Sequence, residues 1–420
     1  MHQLRRSLTT RGAAFAGAGL VLVSAGVLLG QHDVTRVGIL LLALTTIALV
    51  LVRRHGLHLD VVRTATPARV AIDERAVVTV RIRNVEPTPS PVVMAEESID
   101  YALGDRPRFV LPSLRPGDVQ DVQYTVRSHT RGVHRIGPLG VRVRDPFGLT
   151  LRTAAVSGDA EIVVLPKVVP LPHGRSLGSG IGSEGSIPHM VALHGEDDQT
   201  VREYRDGDDL RRIHWPATAR TGELMVRQED RPAKRRAVVV LDTRTAGHGG
   251  SGRSSSLEWC VTTAASVTAH VVDAGYAVHL LTADARADNG VHHDESLPEA
   301  LDSLARVGLG AEDGLRAVLH AANALTSQGG LVVYIGGPVG DDDARTLSAL
   351  RQPGSAGAAM VVDPEAFAGR ARRNAAAAGR ADATLAILQA SGWMTTPVDA
   401  RTTPALAWAA VVGGQVVGAR

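Results

Sequence analysis

The stretch Ala237-Val-Val-Val-Leu241, which runs straight into Asp242-Thr-Arg244-Thr-Ala246, decides how most of this 420-residue chain is read. Five consecutive apolar residues are short for a helix and lack the alternation of a half-solvated strand, so they predict a strand covered on both faces. Residues 257–274 then carry a helical pattern, and Tyr276-Ala-Val-His-Leu-Leu281 reads as a second strand. The alternation continues through helices at 297–307 and 315–325, the strand Leu331-Val-Val-Tyr-Ile335, a helix at 343–351 and the strand Ala358-Ala-Met-Val-Val362. Helices at 381–390 and 405–411 flank a last strand at 394–398. Such alternation implies an α/β domain over 236–413, a parallel sheet covered on both sides with its functional edge at the strand carboxyl ends. That edge holds residues 242–245, Gly336-Gly-Pro338 and Asp363.

Upstream the rhythm is different. Residues 57–168 alternate apolar and polar in Leu57-His-Leu-Asp-Val-Val62, Arg75-Ala-Val-Val-Thr-Val-Arg-Ile-Arg83, Pro91-Val-Val-Met94, Asp121-Val-Gln-Tyr-Thr-Val126 and Val141-Arg-Val-Arg144. A period of two, punctuated by turns at Glu86-Pro87, Arg115-Pro-Gly117 and Ile136-Gly-Pro138, predicts an all-β domain, a β-sandwich. Residues 172–199 are rich in Gly, Ser and His and read as a linker. Within it Gly180-x-Gly182-x-x-Gly185 matches a dinucleotide fingerprint by letter only, because no strand precedes it closely and Ser186-Ile-Pro188 stands where a helix should open.

Residues 1–12 form a basic N-terminus, followed by two uncharged runs at 13–30 and 37–52. At 1.5 Å per residue these span roughly 27 and 24 Å, enough for a bilayer core of about 30 Å if the flanks snorkel. They predict a transmembrane helical hairpin at 13–52. Arg5, Arg6 and Arg11 precede the first run and Arg53 and Arg54 follow the second, whereas the connection holds only Arg36. The positive-inside bias then places the soluble domains in the cytoplasm, at the cell membrane. A secretory signal peptide followed by a buried helix fits the first run too, but the Arg pair after the second run and the lack of a clear cleavage site oppose it.

Composition narrows the function. Lys and Arg total 45 against 43 acids, a net charge of +2 with no global field for gripping nucleic acid. Only 13 aromatics are present, too few for base-stacking platforms. Cys260 is the sole cysteine, which excludes intramolecular disulfides and Cys-based metal clusters.

The segment at 200–228 stands apart. Residues 202–220 contain five arginines and four acids together with Tyr204, His214 and Trp215. Asp208 or Asp209 could cap a helix through 210–214, with a strand re-entered at 223–226. The segment resembles the signature of the domain of unknown function 58 family in Arg202, Tyr204, Gly207, Asp208, Arg211 or Arg212, Ile213, His214, Trp215, Ala219, Arg220, Gly222 and Leu224. Arg131-Gly132, Ile136-Gly-Pro138 and Asp145-Pro-Phe-Gly-Leu149 look like the same family. The resemblance implies a membrane-tethered protein with a β domain and a Rossmann-like, von Willebrand factor A-like domain, often found beside a MoxR-type AAA+ ATPase. It supplies no reaction.

Two readings of the segment compete. One is an ionic network pinning linker to sheet, with Trp215 as apolar anchor. The other is a docking surface made by Arg202, Tyr204, Asp206, Asp208, Arg211, Arg212, His214, Trp215 and Arg220, whose guanidinium forks and carboxylates give a directional interface. Glu203, Asp206, Asp208 and His214 include ligand types but no second nearby His at ligand spacing. Ser254-Ser-Ser256 lacks a nucleophile elbow and suits helix capping.

The von Willebrand factor A resemblance implies a divalent-ion site of the form Asp-x-Ser-x-Ser. Here Asp242 is present, but Arg244 and Ala246 hold the two serine places and Gly336-Gly337 stands where an Asp would be sought. A guanidinium there repels a cation and can pair with Asp242 instead. The expectation is therefore a non-enzymatic adaptor or scaffold without cofactor or metal, working through protein–protein contacts with the MoxR-type ATPase and proteins encoded with it, and with no nucleic acid. Its rivals are a hydrolase of peptide or envelope precursors using the acids at 206–209 with His214, and an extracytoplasmic adhesion module.

Overall fold

The computed structural model describes residues 8–54, 58–172, 200–204, 213, 215–228, 235–283, 296–327, 329–353, 355–369 and 375–413. They divide into two compact units, 1–165 and 166–420. The linker at 172–199 with its glycine fingerprint lies outside the described residues apart from Pro172.

Unit 1 opens with two antiparallel helices, α1 (Thr10–Leu28) and α2 (His32–Arg54). Both are long and apolar enough to cross a membrane. Their contact is made by small residues. Gly12, Gly19 and Gly26 recur every seven residues and are the buried positions of α1; Gly19 and Gly26 face α2, against Gly38 and Leu42 and against Thr35, while Gly12 meets Leu149. A methyl on Gly38 would come within 2.7 Å of Val23 N, and one on Gly26 within 2.4 Å of Thr35 Oγ1. Ser24, Thr45 and Thr46 turn their hydroxyls back onto carbonyls four residues earlier, so that these three groups are not bare toward an apolar surround. The turn is shorter than the apolar runs suggest. Gly30 adopts φ +67, Gln31 N donates to Gly26 O at 2.8 Å, and α2 resumes at His32. This left-handed cap ends one helix and starts the next within three residues, so Asp33 and Arg36 lie inside α2 and pair at 3.0 Å.

The rest of unit 1 is built from two sheets. One has the order β1 (Leu59–Thr66), β3 (Arg75–Asn84), β6 (Val119–Arg127), all antiparallel. The other runs β2 (Arg69–Ala71), β9 (Ala160–Leu165), β7 (Gly132–Arg144), β4 (Val93–Ile99), β5 (Arg108–Leu111), with β8 (Leu151–Val156) also on β7. In β3 every second residue is buried, Ala76, Val78, Val80 and Ile82 facing inward, and these share one core with Ala95, Ile136, Leu139, Val141 and Ile162 of the second sheet. Ile136-Gly-Pro138 is not the turn the sequence suggests. It lies inside β7, where that strand exchanges β9 for β8 as neighbour and the pairing with β4 shifts between Glu97 and Ile99. A proline without an N–H is tolerated where the ladder is already broken. One ion pair crosses the core, Arg63 Nε to Glu97 Oε1 at 2.8 Å with both side chains fully buried. Burial pushes the Glu97 carboxyl up, against the opposing hydrogen bond and charge of Arg63.

Unit 2 carries a five-stranded parallel sheet in the order β13 (Ala277–Leu281), β12 (Arg236–Leu241), β14 (Leu331–Gly336), β15 (Ala356–Val362), β16 (Met394–Val398). Val239 and Leu241 face a core shared with α4 (Ser256–Asp273), α5 (Leu297–Arg306) and α10 (Pro404–Gly413). Val238 and Val240 face the opposite core, made with α6 (Gly314–Thr326), α7 (Asp341–Ala349) and α9 (Ala375–Ala390). A short helix α8 (Pro364–Phe367) follows β15, capped by Asp363, whose Oδ1 accepts from Glu365 N at 3.0 Å. The chain passes from β12 to one side of the sheet and from β14 to the other. The crevice between the carboxyl ends of β12 and β14 is therefore the switch point at which open parallel sheets present ligand sites.

Candidate functional site

Asp242 leaves β12 at that switch point, fixed by its N–H to Ile335 O at 3.0 Å. It is 1% exposed, and Arg244 two residues on is 7% exposed. The chain folds back so that Asp242 Oδ1 accepts from Arg244 N and Arg244 Nε, each at 3.0 Å, while Oδ2 accepts from Arg244 Nη2 at 2.8 Å. Arg244 Nη2 also reaches Pro338 O at 3.2 Å, bridging the loops after β12 and β14. The Tyr334 hydroxyl shares its one proton between Gly337 O at 2.7 Å and Asp242 Oδ2 at 3.2 Å. Both oxygens of the carboxylate are thus spoken for by this chain's own donors.

The titration behaviour follows from that geometry. Burial alone would pull the Arg244 guanidinium down, but the hydrogen bonds and charge of Asp242 outweigh it, and the group is held above its ordinary value. Burial and then the Asp242 charge push the Tyr334 phenol well up. His248 is held below its ordinary value of 6.5, chiefly by burial. Its Nε2 donates to Asp242 O at 2.8 Å, which leaves Nδ1 to accept from Ser256 Oγ at 3.0 Å, and Ser256 Oγ in turn accepts from Gly249 N at 2.9 Å. The hydroxyl at the start of α4 is therefore a brace for a neutral imidazole. Ser255, one residue earlier, caps that helix by accepting from Glu258 N.

Glycines at 336 and 337 have a packing cause. A Cβ on Gly337 would lie 2.1 Å from Gly247 O, and one on Gly336 would lie 2.3 Å from Asp242 Cβ. The two loops meet backbone to backbone, so no acidic side chain fits there. Ala246 contributes its N–H, which donates to Glu312 Oε1 at 2.8 Å. With a guanidinium across both carboxylate oxygens and glycines opposite, these residues do not fit a divalent cation. Among the described residues no cluster of three or more His, Cys, Asp or Glu has metal-holding geometry. Tyr334, His248 and Glu312 escaped the sequence reading, although Tyr334 is the one polar side chain in an otherwise apolar strand; of Ser254-Ser-Ser256, expected to cap the helix, Ser255 does so and Ser256 braces His248.

The signature segment forms a small sheet of its own. Strand β10 (Thr200–Glu203) pairs antiparallel with β11 (Met225–Gln228), setting Arg202 opposite Val226. Tyr204 N continues the ladder to Leu224 O at 2.8 Å. Helix α3 (Trp215–Thr221) lies between the strands and ends at Gly222 with φ +80. The helix expected at 210–214 lies outside the described residues apart from Ile213, which is bridged to Val226, and Pro216 suits the first turn of α3. Trp215 is not a buried anchor, being 66% exposed; Val226, at 4%, is a buried apolar residue of this small sheet. Arg220 is exposed as well. Asp206, Asp208, Arg211, Arg212 and His214 lie outside the described residues, as does the side chain of Arg202.

Residues 200–368 match the model of the family described as protein of unknown function DUF58, a span from β10 through α8 that contains both the small sheet and the Asp242–Arg244 pair. No curated protein matches the chain. Among solved structures, the chain is similar to the CARDB domain of a Pyrococcus furiosus protein, at 19% identity over 24% of this chain and 88% of that one, with a TM-score of 0.18. It is also similar to the alkylpurine DNA glycosylase AlkC of Pseudomonas fluorescens, at 17% identity over 31% and 40%, with a TM-score of 0.17. A Listeria innocua β-glucosidase matches at 14% identity over 24% and 16%, with a TM-score of 0.16. Likeness of that order carries no argument about function.

Proposed function

We propose that this chain is a non-enzymatic, membrane-anchored adaptor whose soluble parts hold other proteins on the cytoplasmic side, with a MoxR-type AAA+ ATPase as first partner. The observation that carries the reading is the closure of the switch-point crevice by Arg244. Where an α/β sheet of this kind ordinarily opens for a ligand, this one is filled by its own guanidinium. The five-stranded parallel sheet with helices on both faces is compatible with a von Willebrand factor A-like domain, a scaffold suited to protein contacts. The exposed Trp215 and Arg220 are of the types enriched at binding hot spots. The two apolar helices supply the tether, and the arginines outside them supply the orientation.

The test is binding between the full chain in lipid nanodiscs and a purified MoxR-type ATPase from the same genome. Saturable binding is expected, weakened roughly tenfold or more by Trp215→Ala or Arg220→Ala, about 1.4 kcal/mol or more each, with unchanged melting. No binding would refute the partner. Turnover of a peptide or envelope precursor that disappears in Asp206→Asn/Asp208→Asn would replace the adaptor by the hydrolase.

A further inference from the structure

We propose that the tip of the β7–β8 hairpin, Asp145-Pro-Phe-Gly-Leu149, is a lipid-contact site that seats Phe147 among acyl chains and places anionic phospholipid headgroups on Arg11 and Arg144. The inference rests on α1 and α2 spanning a bilayer, and it concerns what the soluble part of unit 1 does at that bilayer's surface.

The tip is fastened to the helices themselves. Thr9 N donates to Leu149 O at 2.9 Å, and Thr9 Oγ1 donates to Gly148 O at 2.7 Å while capping α1 by accepting from Gly12 N at 3.1 Å. Gly12 is open to this contact only because it lacks a Cβ, which would sit 2.0 Å from Leu149 O. On the other helix, Thr150 Oγ1 reaches Ala48 O at 3.5 Å. Ala48 precedes Arg53 by five residues, about 8 Å along the helix axis. The tip therefore meets the apolar length of α2 rather than its charged end.

Its chemistry suits that depth. The turn closes through Gly148 N to Asp145 O at 3.0 Å, with Gly148 at φ +69. The Asp145 carboxylate is buried and fully engaged, Oδ1 accepting from Phe147 N at 2.8 Å and Oδ2 from the N–H of Thr150 and its hydroxyl. With that carboxylate engaged and the Asp145, Gly148 and Leu149 carbonyls each accepting a hydrogen bond, the turn costs less to place in a low-dielectric surround. What it leaves outside is Pro146 and Phe147, the latter 54% exposed; Arg144, next to Asp145 in the chain, and Arg11, next to the Gly12 that meets Leu149, are exposed as well. An apolar tip with exposed arginines next to its fastening points, held at the start of α1 and near the end of α2, complements the boundary between phosphate headgroups and acyl chains.

The experiment uses the full chain in phosphatidylcholine/phosphatidylglycerol vesicles, with an environment-sensitive fluorophore on Phe147→Cys, on Leu20→Cys within α1, or on Val110→Cys at the exposed face of β5. Cys260 is fully buried and takes no label. Emission from Phe147→Cys is expected to be quenched by lipids carrying a nitroxide near the headgroup, and more by labelled phosphatidylglycerol than by labelled phosphatidylcholine at equal mole fraction. Arg11→Gln/Arg144→Gln should abolish that preference, and Val110→Cys should be quenched by neither. Absence of quenching at Phe147→Cys while Leu20→Cys is quenched would overturn the proposal and leave the hairpin standing. Equal quenching by the two lipids would overturn it too, as would a blue-shifted emission that no lipid quenches, the sign of a protein surface over the tip. Absence of quenching at both Phe147→Cys and Leu20→Cys would sink the spanning reading itself, and this inference with it.

Discussion

Arg244 and Asp242 hold each other in a place where neither survives alone. The carboxylate is 1% exposed and takes three donors from one arginine, so removing the guanidinium strands a buried charge. Arg244→Met is expected to destabilise the α/β unit by about 3–5 kcal/mol in urea unfolding, and adding Asp242→Asn, which discharges the stranded group, should recover part of that loss. A cost below about 1 kcal/mol for the single change would mean the pair is solvated. His248 gives the pH dependence. Burial, ahead of the opposing contacts with Asp242, holds its folded value below 6.5, so the unfolded chain binds a proton that the folded form resists. The associated stability is full above about pH 6.5 and declines as the pH falls through and below it. Unfolding measured on either side of that value should show the decline in the native chain and a flatter profile in His248→Gln; equal slopes would remove His248 from the account.

Among the elements, the helical hairpin is the most sharply constrained. Gly38 lies against Val23 and Gly19, whereas a Cβ on Gly17 would meet nothing within 4 Å. Gly38→Ile should therefore lengthen the distance between spin labels on Phe15→Cys and Ile47→Cys, and Gly17→Ile should leave it unchanged; the same response to both would contradict the interface. How much of the fold was legible follows from burial. Strands β12, β14 and β15, covered on both faces, read directly as apolar runs. Strands β5 and β8 are largely exposed, and β2 is three residues long, so none leaves a period to detect. The misread Ile136-Gly-Pro138 shows the limit from the other side. Turn-forming residues inside β7 mark an exchange of neighbours that only the sheet topology reveals. The same holds for the site. Asp242 and Arg244 are two residues apart, and their complementarity needs no fold, but Tyr334 arrives from strand β14 and Glu312 and Gly337 from distant loops.

At the scale of the whole chain, two helices, a pair of facing sheets and a parallel sheet are joined in sequence, and the one crevice that the parallel topology favours is occupied from within. A divalent ion could enter only by displacing Arg244 from both oxygens of Asp242, with glycines rather than acids on the facing loop. The most direct measurement is titration of the full chain in nanodiscs with Mn2+, followed by electron paramagnetic resonance, beside Asp242→Ala. No Asp242-dependent binding is predicted, the native chain and the variant giving superimposable curves; saturable Mn2+ binding that Asp242→Ala abolishes would contradict the account.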